Sequence, residues 1–189
     1  MVSDAELIRE CRNGSIEAFE QVVGRYKQFA FKIAYGMLGN DRDAEDMVQE
    51  AFITVYRQIK GLRSENAFSS WLGKIVTNLC LRKLQKSIGS AAVSLEALEE
   101  RQAPAVGGED PFKAADLQHD VREALLKLPV DYRVVIVLRD LQGYPYNEIA
   151  EITGIPLGTV KSRLHQARTM LAELLEPAGG GRRQKDDMS

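Results

Sequence analysis

Residues 146–164 constrain the fold more than any other part of the sequence. Ile149 and Ile152 stand three residues apart and give the first half of this stretch an apolar, helical side. Gly154 follows where a tight turn needs a residue that tolerates a positive φ, and Pro156 suits the first turn of a new helix. The stretch therefore predicts two helices joined by a short turn.

The second of these helices has two chemically different faces. Apolar residues recur at alternating steps of four and three, which predicts one buried stripe: Val160, Leu164, Ala167, Leu171 and Leu174. The outward face carries short or basic polar groups suited to phosphates and base edges: Thr159, Lys161, Ser162, His165 and Gln166. An ordinary helical hairpin is the alternative, but this face favours a helix-turn-helix whose second helix enters the major groove of DNA.

Composition limits the class of protein further. The chain has 189 residues and a net charge of −2, so any affinity for nucleic acid must come from local basic patches. Cys11 and Cys80 are far apart and predict reduced thiols rather than a zinc site. The start of the chain lacks an apolar signal segment, and no apolar run is long enough to span a membrane. We therefore expect a cytoplasmic protein with no membrane insertion.

The first part of the chain reads as an all-helical domain over residues 1–86. Ser3 and Glu6 form a capping-box pattern before a short helix, and a longer helix begins after Ser15 and ends near Gly39. Two more helices follow, one capped by Asn40 or Asp41 and one over about residues 70–86. The third helix is expected to bury Ala44, Val48, Ala51, Phe52, Val55 and Ile59.

The character of the chain changes after this domain. Gly, Ala, Ser, Pro and acidic residues dominate over residues 87–116, which predicts a flexible acidic linker. A second helical domain is expected over 117–176, followed by a disordered tail over 177–189. The fold class expected is all-α, with two small helical domains and the helix-turn-helix in the C-terminal one.

One run in the second domain is ambiguous by propensity. Val134 to Leu138 is almost entirely β-branched and apolar, which is typical of a strand. We nevertheless predict a helix over about residues 132–141, because Asp131 offers an N-cap and Gly143 a stop.

The third helix carries an acidic outer face with one apolar residue. Such a face suits a basic helix or coiled coil of a partner protein, and a solvated acidic face is the equally good alternative. The residues concerned are Asp43, Asp46, Gln49, Glu50 and Ile53.

The segment around the fourth helix is basic and contains only one acidic residue, Glu65, over residues 60–86. Cations that follow a backbone, beside aromatic rings and an amide, are what single-stranded DNA recognition needs. Core packing is the alternative for the aromatic residues, and the favoured one for Trp71. The candidates are Lys60, Arg63, Phe68, Trp71, Lys74, Asn78, Arg82 and Lys83.

The sequence offers little support for an enzymatic function. His119 and His165 lie in different segments, without a nucleophile or paired carboxylate at a meaningful spacing. No glycine-rich phosphate loop stands between a strand and a helix. We expect neither an enzyme nor a bound cofactor or metal.

Three segments together resemble bacterial RNA polymerase sigma factors of the extracytoplasmic-function group in the sigma-70 family. They are DAEDMVQEAF at 43–52, FSSWLGKIVTN at 68–78 and GTVKSRLHQAR at 158–168. With the intervening helices, the resemblance covers the chain from about residue 16 to residue 175.

The resemblance implies a role for each surface. The third helix would dock the coiled coil of the largest subunit of core RNA polymerase, with the flap as a further contact. Residues 60–69 and the start of the fourth helix would read the melted −10 element, with Asn78 helping to hold a flipped base. The helix-turn-helix would read the duplex −35 element, with Arg163 and Arg168 near phosphates.

The resemblance also implies an anti-sigma factor as a partner. The sequence departs from the family pattern at Gln166, where an arginine is frequent. Glutamine can still read adenine through two hydrogen bonds. Two other functions stay open at this point: a free-standing helix-turn-helix regulator that binds a palindrome as a dimer, and an adaptor that binds a protein partner through the first domain.

Overall fold

A computed structural model of the protein describes residues 2–91 and 116–175. Within these ranges every regular element is helical, which confirms the predicted all-α class. The first domain contains four helices, with two short 3₁₀ turns, Ile59–Gly61 and Glu65–Ala67, before the last of them. The helices are α1 (Asp4–Arg12), α2 (Ile16–Leu38), α3 (Asp41–Gln58) and α4 (Phe68–Ala91).

Local side-chain caps set where these helices begin. The Ser3 side chain accepts from the N–H of Glu6 while the Glu6 carboxylate accepts from the N–H of Ser3, which confirms the capping box. Ser15 caps α2 and Asn40 caps α3, each by accepting a main-chain N–H three residues on. Gly39 ends α2 at φ 78°, in the left-handed region that glycine tolerates.

The third helix packs as its apolar spacing predicts. Its inner face is buried between α2 and α4, and Ile59 is buried in the turn that follows. The fourth helix begins at Phe68 and continues to Ala91, past the expected end at residue 86. The remainder of the predicted linker and the predicted tail lie outside the described residues.

The second domain contains α5 (Asp116–Lys127), α6 (Val130–Ile136), α7 (Tyr146–Thr153) and α8 (Leu157–Leu175). A π-helical turn, Val137–Leu141, extends α6. The β-branched run is therefore helical, and all of its residues from Val134 to Leu138 are buried. This run packs against α8 on one side and α2 on the other, so burial on both sides outweighs its strand propensity.

Two details of this domain differ from the prediction. Asp131 is not the N-cap of α6, because the helix starts at Val130, two residues before the predicted start, and Pro129, with an extended backbone, occupies the cap position. Leu174 is not buried: 42% of its surface is exposed, so the buried stripe of α8 fades after the half-buried Leu171.

The two domains pack directly against each other. A single hydrophobic core runs through both of them, joining α2 and α4 of the first domain to α5, α6 and α7 of the second. Arg133 of α6 is 9% exposed and donates from Nη1 to the carbonyl oxygen of Met37 at 2.7 Å. Its Nη2 donates to the carbonyl oxygens of Leu126 and Leu128, which fixes the turn between α5 and α6.

Candidate nucleic-acid interface

The helix-turn-helix forms as its sequence predicts. Gly154 ends α7 at φ 72°, and its N–H donates to the carbonyl oxygen of Ala150 at 2.8 Å. Ile149, Ile152 and Val160 are buried, which locks α7 against the start of α8. The turn thereby fixes the orientation of α8 relative to the rest of the domain.

The predicted outward face of α8 is accessible. Lys161, Ser162, His165 and Gln166 are exposed, while Thr159 is half-buried and accepts a hydrogen bond from the Ser162 hydroxyl at its carbonyl oxygen. The exposed groups follow one side of the helix, as major-groove contacts require.

Gln166 is partly engaged within the domain. Its Oε1 accepts a hydrogen bond from the Tyr132 hydroxyl at 3.0 Å. Bidentate reading of adenine needs both the oxygen and the nitrogen of a glutamine amide. The Tyr132 hydroxyl occupies one of the two acceptor positions on this oxygen and orients the amide, a contact between α6 and α8 that the sequence did not reveal.

The two arginines assigned to phosphates are held by acidic residues of the same domain. Arg163 Nη2 lies 2.8 Å from Asp131, and Arg168 forms a two-pronged pair with Asp140 at 2.6 and 3.1 Å. Hydrogen bonding to Asp140 raises the pKa of Arg168 above its ordinary value. These pairs hold both guanidinium groups at the flanks of the outward face.

A second basic surface lies on the first domain, around the loop before α4. Lys60, Arg63, Lys74, Asn78 and Arg82 are exposed there, and Trp71 is half-buried. The structure brings these groups together along the loop and one side of α4.

Part of this surface faces the second domain across a cleft. The cleft measures about 330 Å³ and is lined on one side by Arg63, Trp71 and Lys74. Glu151 and Ile152 of α7 line the other side. The half-buried face of Trp71 thus borders a space between the two domains.

Phe68 is predicted to lie on this surface, but the structure buries it in the core. It is 1% exposed and packs edge-on against Tyr26, with ring centroids 4.9 Å apart, and beside Trp71. Its position one helical turn before the buried Leu72 explains this placement. The buried ring of Phe68 is part of the core under the loop that precedes α4, so it is not available to stack on a base.

Lys83 is also less available for contact with DNA than predicted. Its Nζ lies 2.6 Å from the carboxylate of Asp43, so α3 and α4 are joined by an ion pair. Partial burial opposes ionisation of Asp43, but hydrogen bonds from Lys83 and Asn40 outweigh it and lower the pKa of Asp43 below 3.8. One candidate for DNA and one for a protein partner therefore neutralise each other.

The acidic face of α3 is open at its centre. Asp46, Gln49 and Glu50 are exposed, and Ile53 is 51% exposed beside them. Tyr56, one turn further, is 58% exposed and rests edge-on against Phe19. The sequence reading missed Tyr56, although its spacing of three residues from Ile53 places it on the same face.

The described residues offer little for other chemistry. Among residues 2–91 and 116–175, no group of His, Cys, Asp or Glu side chains is arranged to hold a metal ion. Cys11 and Cys80 are both buried, and burial raises the pKa of the Cys80 thiol to about 12. No helix in the same part of the chain is long and apolar enough to cross a membrane.

Comparison with known proteins gives these surfaces a family. Residues 22–87 match the family model described as Sigma-70 region 2, and residues 118–171 match Sigma-70, region 4. The first match holds the basic loop and most of α2 to α4; the second holds the helix-turn-helix.

Relatives match over most of the chain. The sequence is 36% identical to the ECF RNA polymerase sigma factor SigW of Bacillus subtilis over 89% of this chain and 94% of that protein. It is 33% identical to the ECF RNA polymerase sigma-E factor of Haemophilus influenzae over 93% of this chain and 97% of that one.

A solved structure shows the same fold. The sigma factor RpoE in complex with the anti-sigma factor NepR, from Bartonella quintana, superposes with a TM-score of 0.72 at 26% identity. The match covers 86% of this chain and 99% of that one. The two matched regions, the identity of the relatives and the shared fold agree, and the chain belongs to the extracytoplasmic-function sigma factors of the sigma-70 family.

Proposed function

We propose that this sigma factor binds core RNA polymerase and directs initiation by reading a −35 element with α8 and a −10 element with the loop and α4. The observation that carries the proposal is that exposed basic and polar side chains form two separate surfaces, one on each domain of the chain. One surface suits duplex DNA and the other a melted strand, as promoter opening requires.

The exposed face of α8 suits the duplex. Lys161 is the basic group at its centre, with Ser162 and His165 beside it. A helix of this kind enters the major groove near its N-terminal end, where short polar groups reach base edges. Arg163 and Arg168 then serve the phosphates on either flank, once they exchange their acidic partners for DNA.

The loop and α4 suit a single strand. Lys60, Arg63 and Lys74 are exposed cations that would follow the phosphates, and Trp71 offers an apolar ring edge. Asn78 is exposed on α4 and supplies both a donor and an acceptor for the polar edge of an extruded base.

The acidic face of α3 is the proposed polymerase contact. Asp46 and Glu50 supply charge for a basic coiled coil, and Ile53 and Tyr56 supply exposed apolar area in the centre. Asp43 contributes less, because Lys83 already pairs with it.

The proposed mechanism is binding rather than catalysis. Binding free energy from both promoter elements would be used to hold the duplex open, while polymerase supplies the chemistry. A net charge of −2 fits this division, because polymerase contributes much of the affinity for DNA. The complex of the related RpoE with NepR supports an anti-sigma factor as a further partner of this chain.

The test begins with core polymerase and the full chain. The protein should co-purify with core polymerase, and mapping of transcript starts after its expression should reveal a new shared promoter pattern. A free-standing regulator would instead bind a palindromic duplex tightly as a dimer without polymerase. That behaviour, with no polymerase association, would contradict the proposal.

A further inference from the structure

We propose that the end of α1 and the loop before α4 form a phosphate-binding cleft, the α1 cleft, which holds the backbone of the DNA strand as it continues past the −10 contacts. The inference deepens the proposed function and rests on it for the identity of the strand. α1 spans Asp4–Arg12 and so precedes residues 22–87, the range that matches Sigma-70 region 2. The family match therefore gives α1 no role in DNA binding.

The α1 cleft is open and basic. It measures about 480 Å³ and is lined by Arg9, Arg12, Asn13, Lys60 and Glu65. Three cations and one carboxylate give the cleft a formal charge of +2, in a chain whose net charge is −2. Positive charge gathered in a concave site attracts anions more strongly than the same charge spread over a surface.

Helical spacing directs three of these side chains to one side of α1. Arg12 and Asn13 follow Arg9 by three and four residues, so all three lie on one face at the end of the helix. Arg9 and Asn13 are exposed, and Arg12 is half-buried. Two guanidinium groups and an amide offer N–H donors to phosphate oxygens, and a guanidinium can bind a phosphate through two parallel hydrogen bonds.

α1 is fixed to the rest of the domain, so the cleft exists before a ligand binds. Asp4 lies 2.5 Å from Arg25 of α2 and accepts a hydrogen bond from the Tyr26 hydroxyl at 2.8 Å. Leu7 and Ile8 are each 1% exposed and join the hydrophobic core. A site that is already ordered loses less conformational entropy on binding.

The carboxylate in the cleft orients Arg12 and leaves the other cations free. Glu65 accepts a hydrogen bond from Arg12 Nη1 at 2.7 Å, which also ties α1 to the loop. Hydrogen bonds from its own main-chain N–H and from Arg12 lower the pKa of Glu65, so the carboxylate is ionised at neutral pH. Across residues 2–91 and 116–175, the side chains of Arg9 and Lys60 have neither an ion-pair nor a hydrogen-bond partner. These two cations are therefore available for an anion.

The loop before α4 connects the α1 cleft to the proposed strand-binding surface. Lys60 lines the α1 cleft, and Arg63 lines the other cleft beside Trp71 and Lys74. Lys60 and Arg63 are three residues apart, so at most about 11 Å separates their Cα atoms. About three nucleotides span that distance at roughly 3.4 Å each. A strand held at Arg63 therefore brings its next phosphates to the α1 cleft.

The ligand expected in the cleft is a row of phosphate groups with no preferred base. The lining side chains are charged groups and one amide, with no ring on which a base could stack. Contacts with phosphates add affinity and fix the register of a strand, but they do not read its sequence. A free polyphosphate presents the same oxygens, and the shared loop favours the strand.

Arg9→Gln tests the α1 cleft separately from the loop, with Lys27→Gln as the matched control. Lys27 is exposed on α2 and lines neither cleft. Holoenzymes assembled from core polymerase and each full chain are titrated onto a labelled promoter whose −10 region is unpaired. Arg9→Gln should weaken binding about threefold and reduce the salt slope by about 0.7, the value for one single-strand phosphate, while the control matches the wild type. The loss should be the same when the bases next to the −10 element are changed.

A chemical change in the DNA identifies the phosphate concerned. Methylphosphonate linkages, which replace a charged phosphate oxygen with a methyl group, are placed one at a time along the unpaired strand. One or two linkages should weaken binding by the wild type yet have no further effect on Arg9→Gln, because both changes then remove the same contact. Equal binding by Arg9→Gln and the wild type, or losses that add at every linkage, would overturn the proposal.

Inorganic pyrophosphate, added to the full chain without polymerase, provides a second readout. Amide chemical shifts should change most at residues 9–13 and 60–65, and Arg9→Gln/Lys60→Gln should lose these changes while its spectrum stays that of a folded protein. Shifts spread evenly over all basic surfaces would contradict the cleft. Pyrophosphate binding without an effect of Arg9→Gln on the strand would assign the cleft to a free polyphosphate and overturn the strand assignment.

Failure of the proposed function would look different. The wild type and Lys27→Gln would then both give no transcript with core polymerase, while the pyrophosphate shifts at the α1 cleft would remain.

Discussion

The Lys83 ammonium lies 2.6 Å from the Asp43 carboxylate and ties α4 to α3. This pair joins the basic surface to the acidic one at the point where they meet. Because the pair holds the folded-state pKa of Asp43 below 3.8, it stabilises the fold above that pH. The contribution is lost as the pH falls through the lowered pKa and Asp43 takes up a proton.

Asp43→Asn should therefore lower stability at pH 7 by roughly 0.2–1 kcal/mol, the range for a partly exposed pair. Urea unfolding of both proteins measures the difference as a function of pH. The difference should shrink as the pH drops below 3.8. A difference that grows toward acid pH would contradict the assigned ion pair.

Arg133→Met should destabilise the protein because three carbonyl oxygens lose a charged donor. Loss of hydrogen bonds to a buried charged group predicts a cost of roughly 1.5–3 kcal/mol in the free energy of unfolding. Lys127→Met, at an exposed residue of α5, is the control and should change little. Equal stability of the two variants would argue against Arg133 as a structural link.

Lys161→Ala should weaken binding to a duplex that carries the −35 element and leave polymerase binding intact. Loss of one phosphate or base contact predicts roughly 1–3 kcal/mol, and a salt slope smaller by about 1 if the contact is to a phosphate. Fluorescence titration at several salt concentrations measures both. Thr169→Ala, exposed later on α8, serves as the control. Parallel loss of DNA and polymerase binding would count against the assigned face.

Asp46→Arg should reduce association with core polymerase, because it reverses charge in the centre of the exposed face of α3. Competition with another sigma factor for a limiting amount of core polymerase measures the effect. Glu20→Arg places the same change on an exposed position of α2 and should compete normally. If the Asp46 variant competes as well as the wild type, the exposed face of α3 is not the contact with core polymerase.

Both thiols should be unreactive in the native protein. Cys11 is 6% exposed and Cys80 is 0% exposed, and burial raises the pKa of both, that of Cys80 to about 12. At pH 8 the thiolate that attacks a thiol reagent is therefore scarce. Labelling should proceed only after unfolding in guanidinium. Rapid labelling of the folded protein would reopen a redox role for these residues.

The sequence predicted the features that depend on neighbours along the chain. The capping box of Ser3 and Glu6, the left-handed turn at Gly154 and the buried stripe of α3 each follow from residues within one or two turns. The capping rule failed at α6, where Pro129 occupies the N-cap position that was predicted for Asp131. Phe68 stands four residues before the apolar Leu72, about one helical turn, and this spacing indicates that both side chains lie in the core.

Features that depend on distant parts of the chain could not be predicted in this way. Nothing near Gly73 in the sequence indicates that Tyr144 lies against it, or that Arg133 reaches Met37. The same holds for Tyr132, which engages the amide of Gln166. The candidate surfaces were predicted residue by residue, but the contacts between the two domains depend on how the helices of distant segments pack.

Run-off transcription with purified core polymerase tests the central claim most directly. Templates would carry a promoter found by mapping transcript starts, and the same promoter with its −10 or −35 element scrambled. We expect a specific transcript only when the protein is added, and its loss when either element is scrambled. A folded protein that binds the duplex but gives no transcript, or one whose transcript ignores both elements, would contradict the account.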